Sequence, residues 1–368
     1  MTGLPLKWIA LRDWLSEQGH LFGPADAAAQ PNPALPLQQG TVLIEFHHEP
    51  TKSPKNIVRY SRRDPSPAVL TLRLDPDGTL ALLRRQGARD ALYALSLPQL
   101  LSGEGAQVQY GWDLPRNTGF LVVTLPFRGI TRIIELPGAL PLEHRDIAGL
   151  AGAAFQGGPG LERIAIAEGL APVGPMPALP GNGFVPTPGG PVRLDALTPG
   201  MRIIAADGEP AEVTWAGHVH LPAGGLNAPC LLRAPYFGLN GDLIVSAGAV
   251  MRLQGAEVEY LFGRPDVSVV VRDLVDDIRI LPVSAMHELA NPMVQPFHQV
   301  LLNRRVPIVL SGAVFETLDT SALRTNPVLW KWSVMNALEP AVLPQAGAVR
   351  PPILRDYEAL SLRQMRAA

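Results

Sequence analysis

Glycine and proline interrupt this chain at short intervals, and this feature constrains its fold more than any other. The 368 residues include 35 glycines and 38 prolines, yet 47 % of the chain is apolar. Proline cannot continue a helix or a central strand, and glycine permits the tight turns that connect short strands. The pattern therefore disfavours long helices and predicts an all-β fold of short strands joined by turns.

The charge balance and the cysteine count exclude several classes of protein. There are 31 basic and 33 acidic side chains, so the formal net charge of -2 offers no basic field to a nucleic-acid partner. A charged fraction of only 17 %, together with an apolar fraction of 47 %, argues against a disordered chain. Cys230 is the single cysteine, which excludes an intrachain disulfide framework and a Cys-rich zinc site.

The sequence shows no targeting or membrane signal. No apolar run reaches the roughly 18 residues that a membrane-spanning helix needs. Residues 1–19 have neither a long apolar stretch nor a small-residue cleavage site, so they do not resemble a secretory signal. We therefore expect a cytoplasmic protein, with leaderless export as the open alternative.

Residues 1–156 are predicted to form a β-sandwich that begins with a helix. Trp8, Leu11 and Leu15 lie at helical spacing, which predicts a short amphipathic helix over residues 4–18. A second helix is predicted over residues 141–155. Alternating apolar residues and turn signals predict strands at 41–48, 68–74, 79–84, 108–112, 119–125 and 131–136.

Residues 157–190 are dense in proline and glycine, so they are predicted to form an exposed linker and a loop that leads into a second domain. Asn326-Pro327 is a helix start signal, which predicts a helix over 328–338 within a helical C-terminal extension, 321–368. A short terminal element over 356–365 ends that extension. Strands are predicted at 201–205, 211–215, 231–234, 243–245, 267–271 and 306–310. The strand pattern predicts burial of Val213, Trp215, Leu243, Val245, Val269 and Val271.

A series of short motifs in the second domain resembles a known family. The motifs are TPGGP at 187–191, LDALTPG at 194–200, VTWAG at 213–217, RAPYFG at 233–238, DLIVS at 242–246, EVEYLFG at 257–263, VRDLV at 271–275 and FH at 297–298. In this order they resemble a bacterial hedgehog/intein-type (Hint) domain over residues 178–320. The resemblance implies a β-rich fold and self-processing through an acyl shift from nitrogen to sulfur or oxygen.

The resemblance also implies where the chemistry should lie. A Cys or Ser nucleophile is expected near Ala178, a His-Arg pair near Ala249 and Val250, and a further histidine at Arg305. An amide is a poor electrophile, so the reaction needs an activated thiol or hydroxyl and a group that protonates the leaving amine. None of these groups is present at the three positions, and no Cys or Ser occurs over 157–190. We therefore assign no catalytic residue.

Three functions remain as hypotheses. The first, which we favour, is a Hint-domain protein without self-processing activity that acts as a structural or binding module for an unknown protein or glycan partner. The second is an autoprocessing protein with an unusual nucleophile, such as Thr187 or Ser246. The third is a carbohydrate-binding sandwich, with Trp112-Asp113 as a stacking platform, although a Trp before a turn more often belongs to the core. We expect no cofactor.

Several residue clusters could bind a metal ion, but their patterns favour structural roles, so we assign no metal or cofactor-binding residue. His47 and His48, next to Glu49, point to opposite faces of a strand. His218 and His220 share a strand face but lack a third ligand nearby in the sequence. Asp75, Asp77 and Gly78 resemble the start of a calcium loop but favour a hairpin turn, since Gln86 occupies the position of the required glutamate.

Other charged or reactive residues also favour structural roles. Glu257 and Glu259 would share a strand face as a carboxylate pair, but no further acidic residue supports glycoside hydrolysis. Cys230 lies in an apolar run and is predicted to be a buried, unreactive thiol. The basic residues at 59–63 and 84–85 are predicted to cover a solvated sheet face rather than a nucleic-acid surface.

Overall fold

The computed structural model divides the chain into two compact units, Met1–Gly174 and Pro175–Ala368. It describes residues 6–14, 18–21, 32–50, 52–97, 100–152, 154–276, 278–283, 294–339, 343 and 351–367. Within these residues no helix is long and apolar enough to cross a membrane. Both units consist of antiparallel strands with few helices, which confirms the predicted all-β fold.

The N-terminal unit is a sandwich of two antiparallel sheets. One sheet has the strand order β10-β9-β8-β3-β11-β1-β2, and the other has the order β4-β5-β6-β7. The strands are β1 (Lys7–Asp13), β2 (Gln18–Leu21), β3 (Gln39–His47), β4 (Lys55–Arg62), β5 (Ala68–Leu74), β6 (Thr79–Gln86), β7 (Arg89–Ser96), β8 (Gly105–Asp113), β9 (Thr118–Leu125), β10 (Ile130–Pro137) and β11 (Leu161–Glu168). Residues of both sheets, among them Phe46, Leu70 and Tyr110, form one buried apolar cluster.

One α-helix occurs among the described residues of this unit, α1 (His144–Ala151), and it packs on the sheets through apolar side chains and a buried charge. Asp146 is fully buried, and its carboxylate accepts hydrogen bonds from Arg62 Nε at 2.8 Å and from the Tyr60 hydroxyl at 3.1 Å. Burial and the neighbouring Asp146 raise the pKa of Tyr60 to about 12, so its hydroxyl keeps its proton at neutral pH. The helix is shorter than the predicted 141–155.

The prediction of an N-terminal helix over residues 4–18 is wrong. Trp8 and Leu11 lie in strand β1, which pairs with β2 on one side and with β11 on the other; Leu15 lies outside the described residues. Helical spacing of three apolar residues is a weak signal. Pairing with two strands satisfies the backbone and buries Trp8 and Leu11, so tertiary context decides the structure.

The prediction of an exposed, irregular linker over residues 157–190 is also wrong. Strand β11 (Leu161–Glu168) lies between β3 and β1 in the seven-stranded sheet, and five of its eight residues in succession are buried. The division between the two units falls after Gly174. The many prolines and glycines on either side of residues 163–167 (RIAIA, apolar after Arg163) masked the signal of a strand that is buried on both faces.

The C-terminal unit is built from small antiparallel sheets. Their strand orders are β12-β13, β14-β15-β21, β17-β16-β20 and β19-β18-β23-β22. The strands are β12 (Phe184–Val185), β13 (Val192–Arg193), β14 (Arg202–Ile204), β15 (Pro210–Pro222), β16 (Pro229–Leu232), β17 (Leu243–Ser246), β18 (Val250–Gln254), β19 (Asp266–Val270), β20 (Ile280–Pro282), β21 (Val294–Leu302), β22 (Ile308–Leu310) and β23 (Ala313–Phe315). All six predicted core residues, from Val213 to Val271, are buried.

Helices contribute mainly to the end of this unit, which confirms the predicted helical tail. They are α2 (Ala256–Phe262), α3 (Ser321–Thr325), α4 (Pro327–Trp332) and α5 (Asp356–Ala367). As predicted, Asn326 caps α4, because its Oδ1 accepts a hydrogen bond from the Leu329 N–H at 3.0 Å. Helix α4 ends at Trp332 rather than at residue 338. Ala359 and Leu362 of α5 belong to the buried core of the unit.

Candidate functional site

Ala178 is fixed by the backbone of two strands of the C-terminal unit. Its carbonyl oxygen accepts a hydrogen bond from the N–H of Ser246, the last residue of β17, at 2.9 Å. The next residue, Leu179, exchanges two backbone hydrogen bonds with His298 of β21, at 2.7 and 3.0 Å. The segment that enters this unit is therefore held between β17 and β21.

A tight turn after β17 brings Ala249 into the same region. The Ala249 N–H donates to the Ser246 carbonyl oxygen at 2.9 Å, and the Val271 N–H donates to the Ala249 carbonyl oxygen at 2.9 Å. Ser246 thus contacts both alanine segments through its backbone. Its own hydroxyl is buried and accepts a hydrogen bond from the Gly248 N–H at 3.3 Å.

The two alanine side chains that these backbone contacts bring together have no reactive group. Ala178 is 8 % exposed and Ala249 is 1 % exposed, and both belong to the apolar core of the unit. A methyl group can neither attack a carbonyl nor transfer a proton. The two positions at which the sequence resemblance requires a nucleophile and a histidine are therefore filled by packed hydrocarbon.

A comparison with protein families supports the resemblance. The model of the family described as the Hint domain matches residues 178–322. This part of the chain is a Hint domain. The match begins at Ala178, the position at which the resemblance requires the nucleophile of the Hint domain.

Several solved structures are similar to parts of the chain. The MchDnaB-1 intein is 17 % identical with a TM-score of 0.24, over 38 % of this chain and 100 % of that chain. The CBM40 of Ruminococcus gnavus IT-sialidase, bound to alpha2,3 sialyllactose, is 15 % identical with a TM-score of 0.26, over 36 % of this chain and 76 % of that chain. Sheep galectin-11, in a complex with glycerol, is 12 % identical with a TM-score of 0.23, over 39 % and 97 %. Comparison with curated proteins finds no match.

The remaining candidate positions of the Hint domain serve structural roles. The Thr187 hydroxyl donates to the Gly190 carbonyl oxygen and accepts from the Gly189 N–H at 3.2 Å, which closes the TPGG turn. Arg305 stands where the family resemblance implies a histidine, and its guanidinium lies 3.5 Å from the Asp319 carboxylate. Thr187 is therefore engaged within its own turn, and Arg305 by an acidic residue that follows β23.

Cys230 lies inside the Hint domain, paired with Val245 across β16 and β17. Burial raises the pKa of its thiol to about 11, and the positive charge of Arg272 offsets only part of this shift. The same burial lowers the pKa of Arg272. The thiol is therefore protonated at neutral pH, as expected for a buried structural cysteine. Sequence reasoning missed Arg272, which lies forty-two positions away along the chain.

Three histidines meet on one face of β15 and β21. The ring centroids of His218 and His220 are 5.4 Å apart, and His298, directly opposite His218, lies 5.2 Å from it. The third histidine was invisible from the sequence because the strand register was unknown. Burial and the neighbouring His218 lower the pKa of His298. No group of three His, Cys, Asp or Glu side chains among the described residues has the arrangement of a metal site.

The proposed carboxylate pair and the stacking platform do not form. Glu257 and Glu259 lie in helix α2 rather than in a strand, so a spacing of two residues places them on different sides. Glu257 instead forms an ion pair with Arg366 at 2.6 Å. Trp112 is fully buried in the N-terminal core, where its Nε1–H donates to the Leu37 carbonyl oxygen at 3.0 Å, and the neighbouring Asp113 is also buried.

The basic cluster is divided between the surface and the interior of the N-terminal unit. Arg84 is fully buried and donates to the carbonyl oxygens of Val69 and Pro141, each at 2.6 Å. Arg62 is engaged by Asp146, as described above. Arg59 and Arg85 remain on the exposed face. The prediction of a solvated face therefore holds for only part of the cluster.

Two motifs that are separate in the sequence come together at one end of the sandwich. His48 and the turn with Asp75, Asp77 and Gly78 line the same cavity, whose volume is about 560 Å³. His47 is not part of it, because its Nδ1 pairs with Glu162. The exposed Glu49 pairs with Lys55 at 2.9 Å.

Proposed function

We propose that this chain is a Hint-domain protein that does not process itself, and that it keeps the Hint fold as a structural or binding module. The observation that supports this proposal is the pair of buried alanines, Ala178 and Ala249, at the positions of the nucleophile and the proton donor. The surrounding strands of the domain are retained, so the framework and the chemistry are separable.

The first missing step is nucleophilic attack. An acyl shift at the start of the domain requires the side chain of residue 178 to attack the carbonyl of Pro177. The alanine at this position has no lone pair to donate. Cys230 cannot replace it, because a thiol with a pKa of about 11 is almost entirely protonated at pH 7.

The second missing step is departure of the amine. The nitrogen leaving group must be protonated as the bond to the carbonyl breaks. No histidine occurs among residues 245–250, and Ala249 stands at the position that the family resemblance assigns to it. Without a nucleophile and a proton donor, the amide bond between Pro177 and Ala178 should be as stable in water as any other.

The rival proposal is self-cleavage through another hydroxyl, at Thr187 or Ser246. The Thr187 hydroxyl is engaged in its own turn, and the Ser246 hydroxyl is buried beside Gly248. Among the residues that the structure describes, neither hydroxyl has a hydrogen bond to a basic side chain. Both therefore lack the activation that a weak oxygen nucleophile needs.

Intact-mass spectrometry of the purified full chain tests this proposal. The protein is incubated for several days with and without a thiol, and separately with hydroxylamine, which would cleave a thioester or ester intermediate. We expect the full-length mass alone under every condition. Two fragments that divide the chain between Pro177 and Ala178 would refute the proposal.

Two matched variants make this test specific for the rival nucleophiles. Thr187→Val and Ser246→Ala each remove one hydroxyl at nearly constant volume. If the parent chain cleaved and one variant did not, that hydroxyl would be the nucleophile. We expect the parent chain and both variants to give the same single full-length species.

A further inference from the structure

Three loops at one end of the N-terminal sandwich enclose the cavity of about 560 Å³. His48 follows β3, Asp75 and Asp77 form the turn between β5 and β6, and Leu100 to Ser102 precede β8. Loops carried by a rigid scaffold are the usual place for binding sites in β-sandwiches. The volume lies within the range of about 300 to 1,000 Å³ that is typical of small-molecule sites.

Backbone hydrogen bonds tie the three loops together. The Gly103 N–H donates to the His48 carbonyl oxygen at 2.8 Å, and the Leu97 N–H donates to the Gly78 carbonyl oxygen at 3.0 Å. The Glu104 carboxylate accepts from the Leu101 N–H at 2.9 Å and from Arg128 at 2.6 Å. The walls are therefore formed before any ligand arrives, which lowers the entropic cost of binding.

One lining side chain has an unsatisfied polar atom. His48 Nδ1 is buried and has no hydrogen-bond partner within the part of the chain that the structure describes. Burial and Lys55 lower the pKa of His48, so the ring is neutral at pH 7 and offers one donor and one acceptor. A buried polar atom without a partner is costly, and a turn of the His48 ring toward the cavity would let a ligand hydroxyl satisfy it.

The other walls combine hydrogen-bond acceptors with apolar surface. The Asp77 carboxylate is exposed at the cavity and accepts a hydrogen bond from the Thr79 N–H at 2.8 Å; hydrogen bonds from the Thr79 backbone and side chain lower its pKa, so it is ionised at neutral pH. The Ser102 side chain is exposed beside it, and Leu101, which is 61 % exposed, adds apolar surface to the wall. A sugar ring presents this combination of hydroxyl groups on its edge and C–H groups on its face.

The charge of the cavity selects against anions and bare metal ions. The ionised Asp77 repels a carboxylate or a sulfate, and the neutral His48 offers no compensating charge. The Asp75 carboxylate is already paired with Arg73 at 2.9 Å, and the described residues contain no metal-binding group. An uncharged ligand with hydroxyl donors fits best.

We propose that this cavity binds a neutral saccharide, with Asp77 and His48 accepting or donating hydrogen bonds to its hydroxyl groups and Leu101 packing against one face of the ring. This inference gives a ligand class to the binding role proposed above. It does not depend on the loss of self-processing, because all the lining residues lie within the N-terminal unit.

A glycan array with the full chain, followed by titration calorimetry with each neutral hit, tests this proposal. The array carries neutral oligosaccharides beside sialylated, sulfated and uronic acid glycans, and it is run with calcium and with a chelator. We expect binding to neutral glycans in both conditions. Failure of every neutral glycan to bind, preference for the anionic glycans, or binding that requires calcium would each overturn the proposal.

Matched variants locate the site. Asp77→Asn keeps the side-chain shape and the turn but removes the charge, and Leu101→Asp removes the apolar wall; each should weaken binding about 10-fold or more. Asp90→Asn, on exposed strand β7, changes an equally exposed carboxylate and should leave binding unchanged. Equal affinity of all three variants and the parent chain would place the sugar elsewhere and overturn the proposal. Neither result alters the intact-mass test, so the two proposals fail independently.

Discussion

At Ala178 and Ala249 the Hint domain contains only packed methyl groups, whereas the N-terminal sandwich leaves an open cavity lined by His48 and Asp77. The first region has the topology of a reactive site without its polar atoms. The second has polar atoms without a known chemistry. The difference teaches that a fold and the chemistry of a site are separable, because burial depends on apolar residues that catalysis does not use.

A carboxylate introduced into each region should give the largest difference in stability between the two. Ala249→Asp would bury an unpaired carboxylate, and we expect the free energy of unfolding of the Hint unit to fall by about 3 kcal/mol or more. Ser102→Asp, at the exposed rim of the cavity, should change stability by less than about 0.5 kcal/mol. Urea denaturation followed by tryptophan fluorescence measures both. A loss below about 1 kcal/mol at Ala249 would indicate a hydrated, open site.

The thiol of Cys230 provides a kinetic measure of how closed the Hint core is. With a pKa of about 11 instead of the ordinary 9.0, the thiolate fraction at pH 8 is about 100-fold smaller than in the unfolded chain. We expect alkylation by iodoacetamide to be slower by at least this factor in the folded protein, measured by mass spectrometry. A rate within about threefold of that in urea would contradict the buried site.

The same pKa shift predicts how stability depends on pH. The folded chain retains the Cys230 proton up to a pH of about 11, while the unfolded chain loses it near 9.0. The unfolded state therefore binds fewer protons in this window, and the stabilisation present below pH 9 is lost as pH rises toward 11. Urea denaturation of the parent chain and of Cys230→Ala across this window measures the difference, and parallel pH profiles would contradict the assignment.

A smaller effect is expected from a methyl group added at Gly181. Its Cβ would lie 2.6 Å from His298 Cε1 and 2.8 Å from Asp195 Cβ. We expect Gly181→Ala to lower the free energy of unfolding by about 1 to 3 kcal/mol, as overpacking does in cores. Gly189→Ala is the matched control, because the nearest atom, Thr187 Oγ1, is 3.9 Å away. Equal stability of the two variants would mean that the entry to the domain is loosely packed.

Local patterns predicted those parts of the fold in which neighbouring residues decide the structure. The alternation at 41–48, the hairpin around DPDG and the cap at Asn326 all correspond to observed elements. Strands β1 and β11 were missed because partners distant in sequence determine them. The sequence likewise did not reveal that Glu257 and Glu259 lie in a helix, where a spacing of two residues places them on different sides.

The candidate sites were predictable to different degrees. The alanines at 178 and 249 could be located from ordered motifs alone, because a resemblance fixes positions in the sequence. The cavity could not, because His48 follows a strand of one sheet and Asp77 lies in a turn of the other, so they line one cavity only when the two sheets pack together. The meeting of His218 with His298 depends in the same way on the register between β15 and β21.

We propose that the catalytic end of the Hint domain has been lost as a unit rather than at two side chains. The most direct test of this proposal is the intact mass of the double variant Ala178→Cys, Ala249→His, after circular dichroism has shown that the variant is folded. We predict no more than trace cleavage in thiol, because Arg305 still replaces a histidine and catalytic groups act together. Efficient cleavage between Pro177 and position 178 would show that the rest of the site is intact, and would contradict this account.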